Sequence, residues 1–225
     1  MMKPSVLAET LSRISSHGTF SGYFPGADRC RVIQGGDHLF RAGEHNQDAY
    51  LIRSGNLKRY TVYPNGEEQI LGLHGPGDVV GFHVLFDIPA QCSVVALDTA
   101  HVQVLPLLRK SLLDADGAGN AQVAVQAMYQ ELLRLSRLLY IERHPTERRL
   151  AEYLLDFSEH QRLLGLSRDQ LVLPLIRRDL ARFLGLAPET LSRTLSRFHS
   201  LGLIEIDNRE ISITDRQGLE TLAEG

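Results

Sequence analysis

The sequence contains no tryptophan, only two cysteines and no long apolar run. Two thiols, Cys30 and Cys92, are too few for a four-cysteine iron–sulfur cluster or zinc site within these residues. They lie far apart and fit no CxxC spacing, which favours a reduced, cytoplasmic setting. No apolar run approaches the roughly 18 residues of a membrane span, and no secretory signal pattern marks the N-terminus.

An excess of positive charge is also lacking, since 24 Lys and Arg stand against 27 Asp and Glu, for a formal net charge of −3. A signal for nucleic-acid binding therefore has to be local. It lies between residues 177 and 197, where five arginines minus two acids, Asp179 and Glu189, leave a charge of +3. This excess predicts a side that faces phosphates. The arginines are Arg177, Arg178, Arg182, Arg193 and Arg197.

Short β-branched or alternating runs, separated by glycine-containing turns, extend from about Arg31 to Pro106. Many short strands at close spacing, without a helical period, predict a barrel or sandwich. Pro64-Asn65-Gly66 predicts a hairpin turn within it, because Asn and Gly tolerate positive φ.

The pattern becomes helical after Pro106, with no Gly or Pro from about Asn120 to Arg143. Apolar residues recur at spacings of 4, 3, 4, 3 and 4, as in a coiled-coil seam. This favours a helix that pairs with a second copy, and the alternative is a helix packed on its own domain. His144-Pro145 ends the helix, because a residue before proline is driven out of the α region. The seam comprises Ala121, Val125, Met128, Leu132, Leu135 and Leu139.

The arginine-rich segment predicts two short helices joined by a tight turn. The first covers about Arg178 to Phe183, and Gly185 follows where helices commonly end in a left-handed residue. Pro188 suits the first turn of the second helix, where its missing N–H has no effect. An amphipathic helix over residues 146–160 precedes this pair, and IEIDNREISITD after it predicts a small hairpin about Asp207-Asn208.

The second of these helices has an apolar stripe, Leu191, Leu195 and Phe198, and a separate polar face. A helix, a glycine turn and a helix with a polar outward face form the helix-turn-helix plan. In the major groove, arginine can donate two hydrogen bonds to guanine, glutamate can accept from cytosine N4, and serine can bond to either base edge. The polar face therefore indicates major-groove recognition, and the alternative is an ordinary solvated helix pair. The predicted DNA-binding residues are Glu189, Ser192, Arg193, Arg197, Arg178, Pro188 and Thr190.

FLGLAPETLSRTLSRF, followed by GLIEI and a hairpin, resembles the winged helix-turn-helix of the CRP/FNR regulators. The run from HLFRAG to GDVVGF resembles that family's β-roll sensor domain, and a long dimer helix between them is its layout. The resemblance implies an α+β fold. Its parts are an N-terminal segment (1–30), a jelly-roll-like β-roll sensor domain (31–112), a dimerisation helix and hinge (113–144), and a winged helix-turn-helix DNA-binding domain (145–225).

The same resemblance implies a homodimer on a two-fold symmetric operator, contact with RNA polymerase and no catalytic residues. The FNR branch carries E-x-x-S-R in its recognition helix, and Glu189, Ser192 and Arg193 stand at those places. It therefore implies an FNR-like half-site, TTGAT or close to it.

The sensor domain departs from both well-known branches of the family. Where the cyclic-AMP branch has a ribose-binding glutamate and a phosphate-binding arginine, this chain has Phe82 and Cys92, so cyclic AMP is not expected. The oxygen-sensing branch ligates a [4Fe–4S] cluster with N-terminal cysteines and one β-roll cysteine. Here residues 1–28 contain no cysteine and the β-roll place is Gln103, so no cluster of that type is expected.

Three kinds of signal remain open. Cys92 is a candidate redox-sensitive thiol, against the alternative of a small buried hydrophobe. Haem is a second candidate cofactor, with His17, His74, His83 and His101 as conceivable axial ligands. The third is action without any ligand, controlled by abundance.

Two other function classes compete with a DNA-binding regulator. Glycine-rich β-barrels also house metal-dependent oxygenases, yet His74, His83 and His101 lack the compact H-x-D/E pairing common in such iron sites. We therefore predict no metal site and no enzyme activity. A cyclic-nucleotide-binding module without DNA contact is disfavoured by Phe82 and Cys92.

Overall fold

The computed structural model describes residues 29–105, eight residues between 125 and 136, and residues 144–224. They divide into two units, one ending at Leu135 and the other beginning at Ser136. Residues 1–28 of the predicted N-terminal segment (1–30) and the predicted domain boundary at residue 112 lie outside the described residues. Within the described part, no helix has both the length and the apolar character to cross a membrane.

The first unit is built on eight strands in two antiparallel sheets, as the predicted β-roll requires. The strand orders are β1-β8-β3-β6 and β2-β7-β4-β5. A 3-10 helix, Phe82–Phe86, follows β6. The strands are β1 Cys30–Ile33, β2 His38–Phe40, β3 Ala49–Ser54, β4 Leu57–Val62, β5 Glu68–His74, β6 Val79–Val80, β7 Ser93–Ala96 and β8 Ala100–Leu105.

The main core of this unit combines side chains from both sheets. Because successive side chains of a strand alternate between its faces, Tyr50 and Ile52 of β3 reach the same cluster as Leu57 of β4 and Val94 of β7. A second cluster lies around Leu51 on the other face of β3, and Phe82 packs against it. The 3-10 helix therefore places Phe82 in apolar surroundings.

The predicted hairpin turn is confirmed between β4 and β5. Gly66 has a φ of +85°, and the N–H of Tyr63 donates to the carbonyl of Glu67 at 2.9 Å. The side chain of Asn65 accepts from the N–H of Glu67 at 3.0 Å. Gly66 thus takes the positive φ that the sequence predicted, whereas Asn65 has no positive φ and contributes a side-chain hydrogen bond to the turn instead.

The described residues of the second unit, from 144 to 224, form four helices and a three-stranded sheet. The predicted amphipathic helix and the predicted hairpin are both present, and Asn208 turns the hairpin with a φ of +54°. Strand β9 and helix α4 were not predicted. The elements are α1 Thr146–Leu163, β9 Gln170–Val172, α2 Arg177–Phe183, α3 Pro188–Ser200, β10 Ile204–Asp207, β11 Glu210–Ile213 and α4 Arg216–Glu224, with sheet order β10-β11-β9.

Helix α1 is the centre of the second unit, because it packs against both α3 and α4. Its Leu150 and Leu154 are fully buried, and Leu180 of α2 is buried with them. Helices α2 and α3, followed by the hairpin of β10 and β11, form the winged helix-turn-helix that the resemblance implies.

Gly55 and Gly36 both have positive φ, yet they differ in the space around them. A Cβ on Gly55 would lie 2.6 Å from the Cα of Ala100, whereas a Cβ on Gly36 would meet no atom within 4 Å. We expect Gly36→Ala to destabilise the fold by about 1 kcal/mol through backbone strain. Gly55→Ala should lower stability by about 2 kcal/mol more, because rigid backbone has to move. Chemical denaturation followed by circular dichroism measures both, and equal losses would contradict the close approach.

Candidate nucleic-acid interface

Helix α3 has one buried face and one exposed face. Leu191, Leu195 and Phe198 are buried, as predicted. Since the helix turns once every 3.6 residues, the side chains on the opposite side of the helix project away from the core. Polar side chains therefore line the exposed face: Glu189, Ser192, Arg193, Ser196 and Arg197.

Six of the seven predicted DNA-binding residues are exposed, and Thr190 alone is half-buried. Thr190 uses its backbone carbonyl to accept a bond of 2.9 Å from the buried hydroxyl of Thr194. Pro188 occupies the first turn of α3, as predicted. Arg178 is exposed on α2.

The turn between α2 and α3 is set by Gly185, whose φ is +65°. Its N–H donates to the carbonyl of Arg182 at 3.1 Å, and the N–H of Leu186 donates to the carbonyl of Ala181 at 2.8 Å. These bonds satisfy carbonyls that the end of a helix leaves without partners. The predicted left-handed glycine is therefore confirmed.

Arg149 of α1 adds a second constraint on this turn. Its Nη1 donates to the carbonyls of Leu184 and Gly185, each at 3.1 Å, and its Nε donates to the carbonyl of His144 at 2.8 Å. A cation at the carboxyl end of a helix is favourable, because the free carbonyls carry partial negative charge. Sequence analysis missed Arg149, because nothing in its local pattern separates it from an ordinary exposed arginine.

The arginines of the exposed face differ in their acidic neighbours. Arg197 forms an ion pair with Glu147 of α1, in which Nη1 and Oε1 are 2.7 Å apart. Arg178 lies 3.9 Å from a carboxylate oxygen of Asp179, whose side chain is largely buried. Arg193 has no ion pair with any residue that the structure describes. The face thus presents two arginines with little or no neutralisation and one that is closely paired.

The two sensor positions that would contact a cyclic nucleotide carry no charge in this chain. Phe82 belongs to the apolar cluster beneath the 3-10 helix. Cys92 is half-buried, and burial raises the pKa of its thiol above the usual value, while the guanidinium of Arg59 opposes that shift. Neither residue offers the carboxylate or the guanidinium that a ribose and a phosphate require. The expectation that cyclic AMP is not the effector stays a prediction.

Arg59 is a sensor-domain residue that sequence analysis did not identify. Its Nη2 donates to the carboxylate of Glu131, and both side chains are largely buried. Arg59 pairs in register with Gly72 of β5, where a Cβ would lie 3.6 Å from the guanidinium and 3.1 Å from the imidazole of His74. A Cβ at Gly72 would crowd the imidazole of His74 and make an ordinary contact with the guanidinium of Arg59. The residues next to Cys92 in the sequence include no cation, and the pairing of β4 with β7 brings Arg59 close to it.

The candidate haem ligands lie in different environments, and His17 is outside the described residues. His74 is buried, with its Nδ1 3.9 Å from a carboxylate oxygen of Asp78, and His101 is exposed on β8. Burial lowers the pKa of His83, and His45 adds to this effect. In the described ranges, no three His, Cys, Asp or Glu side chains are grouped to hold a metal ion.

A [4Fe–4S] cluster does not fit the residues at the corresponding places. Gln103, at the β-roll place, is buried in β8, and its strand partner is Cys30. Cys30 is exposed, Cys92 is half-buried, and the 225 residues contain no further thiol. A cluster of this type needs four thiolates.

The two thiols should differ strongly in reactivity. The thiolate is the nucleophile, and burial raises the pKa of Cys92 while shielding the sulfur from solvent. We expect Cys30 to react with a disulfide reagent such as DTNB at neutral pH at least about tenfold faster than Cys92. Labelling of the Cys30→Ser and Cys92→Ser variants separates the two rates. Equal rates would show that Cys92 is more accessible and more ionised than its surroundings indicate.

Comparisons with known proteins agree with both units. A cyclic nucleotide-binding domain model matches residues 30–114, and a Crp-like helix-turn-helix domain model matches residues 148–222. The chain is 35% identical over 201 residues to the anaerobic regulatory protein of Haemophilus influenzae, covering 85% of this chain and 75% of that protein. It is 32% identical over 205 residues to the fumarate and nitrate reduction regulatory protein of Escherichia coli, covering 87% and 79%.

The structure of FixK2 from Bradyrhizobium japonicum superposes with a TM-score of 0.75 at 26% identity, covering 86% of this chain and 96% of that one. The fold, the exposed face of α3 and these relatives agree with one another, whereas an oxygenase-like enzyme is supported by none of them. The chain is a transcription regulator of the CRP/FNR family, with a helix-turn-helix DNA-binding domain and a cyclic nucleotide-binding-like domain.

Proposed function

We propose that the protein binds a two-fold symmetric, FNR-like operator as a homodimer, with one α3 helix in the major groove of each half-site. The observation that carries this proposal is the exposed row of Glu189, Ser192 and Arg193 on a helix whose opposite face is buried. An α-helix fits the major groove of B-DNA, where each base pair presents a distinct set of donors and acceptors.

The chemistry of this row suits a TTGAT half-site, which contains a single G·C pair. Arg193 can donate two hydrogen bonds to the O6 and N7 of the guanine, and Glu189 can accept from the N4 of the paired cytosine. Ser192 lies on the same exposed face and can donate to or accept from either neighbouring base. One arginine and one glutamate thus match the one pair that distinguishes this half-site from a run of A·T pairs.

The remaining arginines supply contacts to the phosphates. Arg178 and Arg182 of α2 and Arg197 near the end of α3 are exposed beside the base-reading row. Contacts to phosphates place a protein on the duplex but carry no direct sequence information. They also make the affinity depend steeply on salt, because each neutralised phosphate releases counterions.

A homodimer would cover the apolar seam of the helical residues between 125 and 136. The four described seam residues, Val125, Met128, Leu132 and Leu135, are all exposed in the single chain. Ala121 and Leu139, also predicted for the seam, lie outside the described residues. An exposed apolar row at a/d spacing becomes buried when a second copy of the helix packs against it. Two-fold pairing would also explain a palindromic operator.

The signal is proposed to be a redox or gas signal, or the abundance of the protein itself. The names of two relatives refer to anaerobic regulation and to fumarate and nitrate reduction. The cysteine count and the surroundings of Phe82 and Cys92 support a signal other than a four-cysteine cluster or cyclic AMP. As a DNA-binding regulator it would act in the cytoplasm together with RNA polymerase.

Arg193→Ala tests base recognition. Loss of a bidentate contact with guanine should weaken binding to a TTGAT palindrome by about 1–3 kcal/mol, which is roughly 5- to 150-fold, and relax the preference for G·C at that position. Fluorescence anisotropy titrations at fixed salt, with the operator and with a duplex in which that pair is A·T, measure both effects. Arg162→Ala removes an exposed arginine of α1 that pairs with Glu159, and should leave operator binding unchanged. Equal operator affinity and equal base preference in Arg193→Ala and Arg162→Ala would reject the role of Arg193 in base recognition.

Leu132→Glu tests the dimer. Leu132 is 59% exposed on the seam, and Val62, at the end of β4, is 55% exposed but lies off the seam. We expect Leu132→Glu to be largely monomeric, because a carboxylate cannot be buried in an apolar seam without a partner, while Val62→Glu stays dimeric. Light scattering after size-exclusion chromatography gives the mass of each. A monomeric wild type, or two dimeric variants, would argue against pairing through this seam.

A further inference from the structure

The ion pair of Arg197 and Glu147 joins the DNA-facing helix to the first turn of α1. Nη1 and Oε1 are 2.7 Å apart, and the side chains are 63% and 34% exposed. Glu147 is the acidic residue in the first turn of α1, a place where helix N–H groups favour a carboxylate. A carboxylate thus stands in contact with a guanidinium that belongs to the exposed, otherwise basic face.

We infer that Glu147 is an electrostatic restraint on Arg197, which lowers the affinity for DNA of any sequence and leaves base preference unchanged. This inference rests on the proposed function, since it assumes that Arg197 contacts a phosphate. In the free protein Glu147 holds the guanidinium. On the duplex Arg197 either exchanges this partner for a phosphate or shares its donors between the two anions.

Both routes weaken binding for a physical reason. Exchange requires an existing charge-assisted bond to be broken before the new one forms. When both anions bond to the same guanidinium nitrogen, sharing places the carboxylate oxygen within about 6 Å of a phosphate oxygen, since each bond is about 2.8 Å long. That separation is shorter than the Debye length of about 8 Å at physiological salt, so the repulsion between the two anions is only partly screened.

Arg197 is exceptional among the arginines of this face. Arg193, which is proposed to contact a base, has no ion pair with a described residue, and the carboxylate near Arg178 is largely buried at 3.9 Å. The restraint therefore acts on a phosphate contact and not on the base-reading row. Because phosphate contacts are independent of sequence, operator and non-operator DNA should be affected by the same factor.

Glu147→Gln in the full chain is the test, with Glu159→Gln as the matched control. Glu159 lies in α1 as well and pairs with Arg162 at 2.6 Å and with Arg168 at 3.9 Å, so both variants remove one charge and at least one ion pair with an arginine from the same helix. The DNA probes are a TTGAT palindrome and a scrambled duplex of equal length. We expect Glu147→Gln to bind both duplexes about two- to fivefold more tightly than wild type, and more tightly than Glu159→Gln.

The Arg197→Gln background shows whether the effect passes through Arg197. In that background, the increase in DNA affinity caused by Glu147→Gln should shrink to the increase caused by Glu159→Gln, because the guanidinium that Glu147 restrains is gone. The inference is overturned if Glu147→Gln matches its control in the wild-type background, binds DNA more weakly, or keeps its full gain without Arg197. In these cases the wild type still binds the palindrome preferentially and the proposed function stands. A wild type without preference for the palindrome overturns the proposed function instead.

Discussion

The burial of one stripe of α3 is the constraint on which the DNA-facing surface depends. Leu191, Leu195 and Phe198 are held in the core of the second unit, so the helix has no freedom to rotate about its axis. The helical period then places Glu189, Ser192 and Arg193 outward together. The chemistry proposed for the major groove follows from apolar burial on the opposite side, since no polar contact is needed to aim these side chains.

The sensor unit shows a different use of charge. Arg59 and Glu131 form a largely buried ion pair that joins strand β4 to a residue of the seam helix, beside the half-buried Cys92. A buried pair of this kind is weak support for stability, but removal of one partner leaves an uncompensated charge. The chain therefore combines a helix-turn-helix domain with a first unit in which Arg59 and Glu131 are bonded to each other.

Much of the fold and of the candidate site was predictable, because the signals were local. Pro64-Asn65-Gly66, Gly185 and Pro188 restrict the backbone wherever they occur, and the spacing of apolar residues on α3 needs only the helical period. The features that sequence analysis missed are short or depend on distant residues. Strand β9 has three residues and pairs with β11 only after the hairpin forms, and helix α4 is recognisable mainly through its packing on α1.

The sequence by itself determined the order of the elements, the polar face of α3 and the identity of the residues at the two sensor places, because each depends on neighbours within a turn or two. Only the tertiary structure decided which charges meet. Arg149 reaches the turn at Gly185, Arg197 meets Glu147, and Arg59 meets Glu131 across 72 positions. Pairing of long side chains depends on the packing of separate elements, and no local periodicity records that packing.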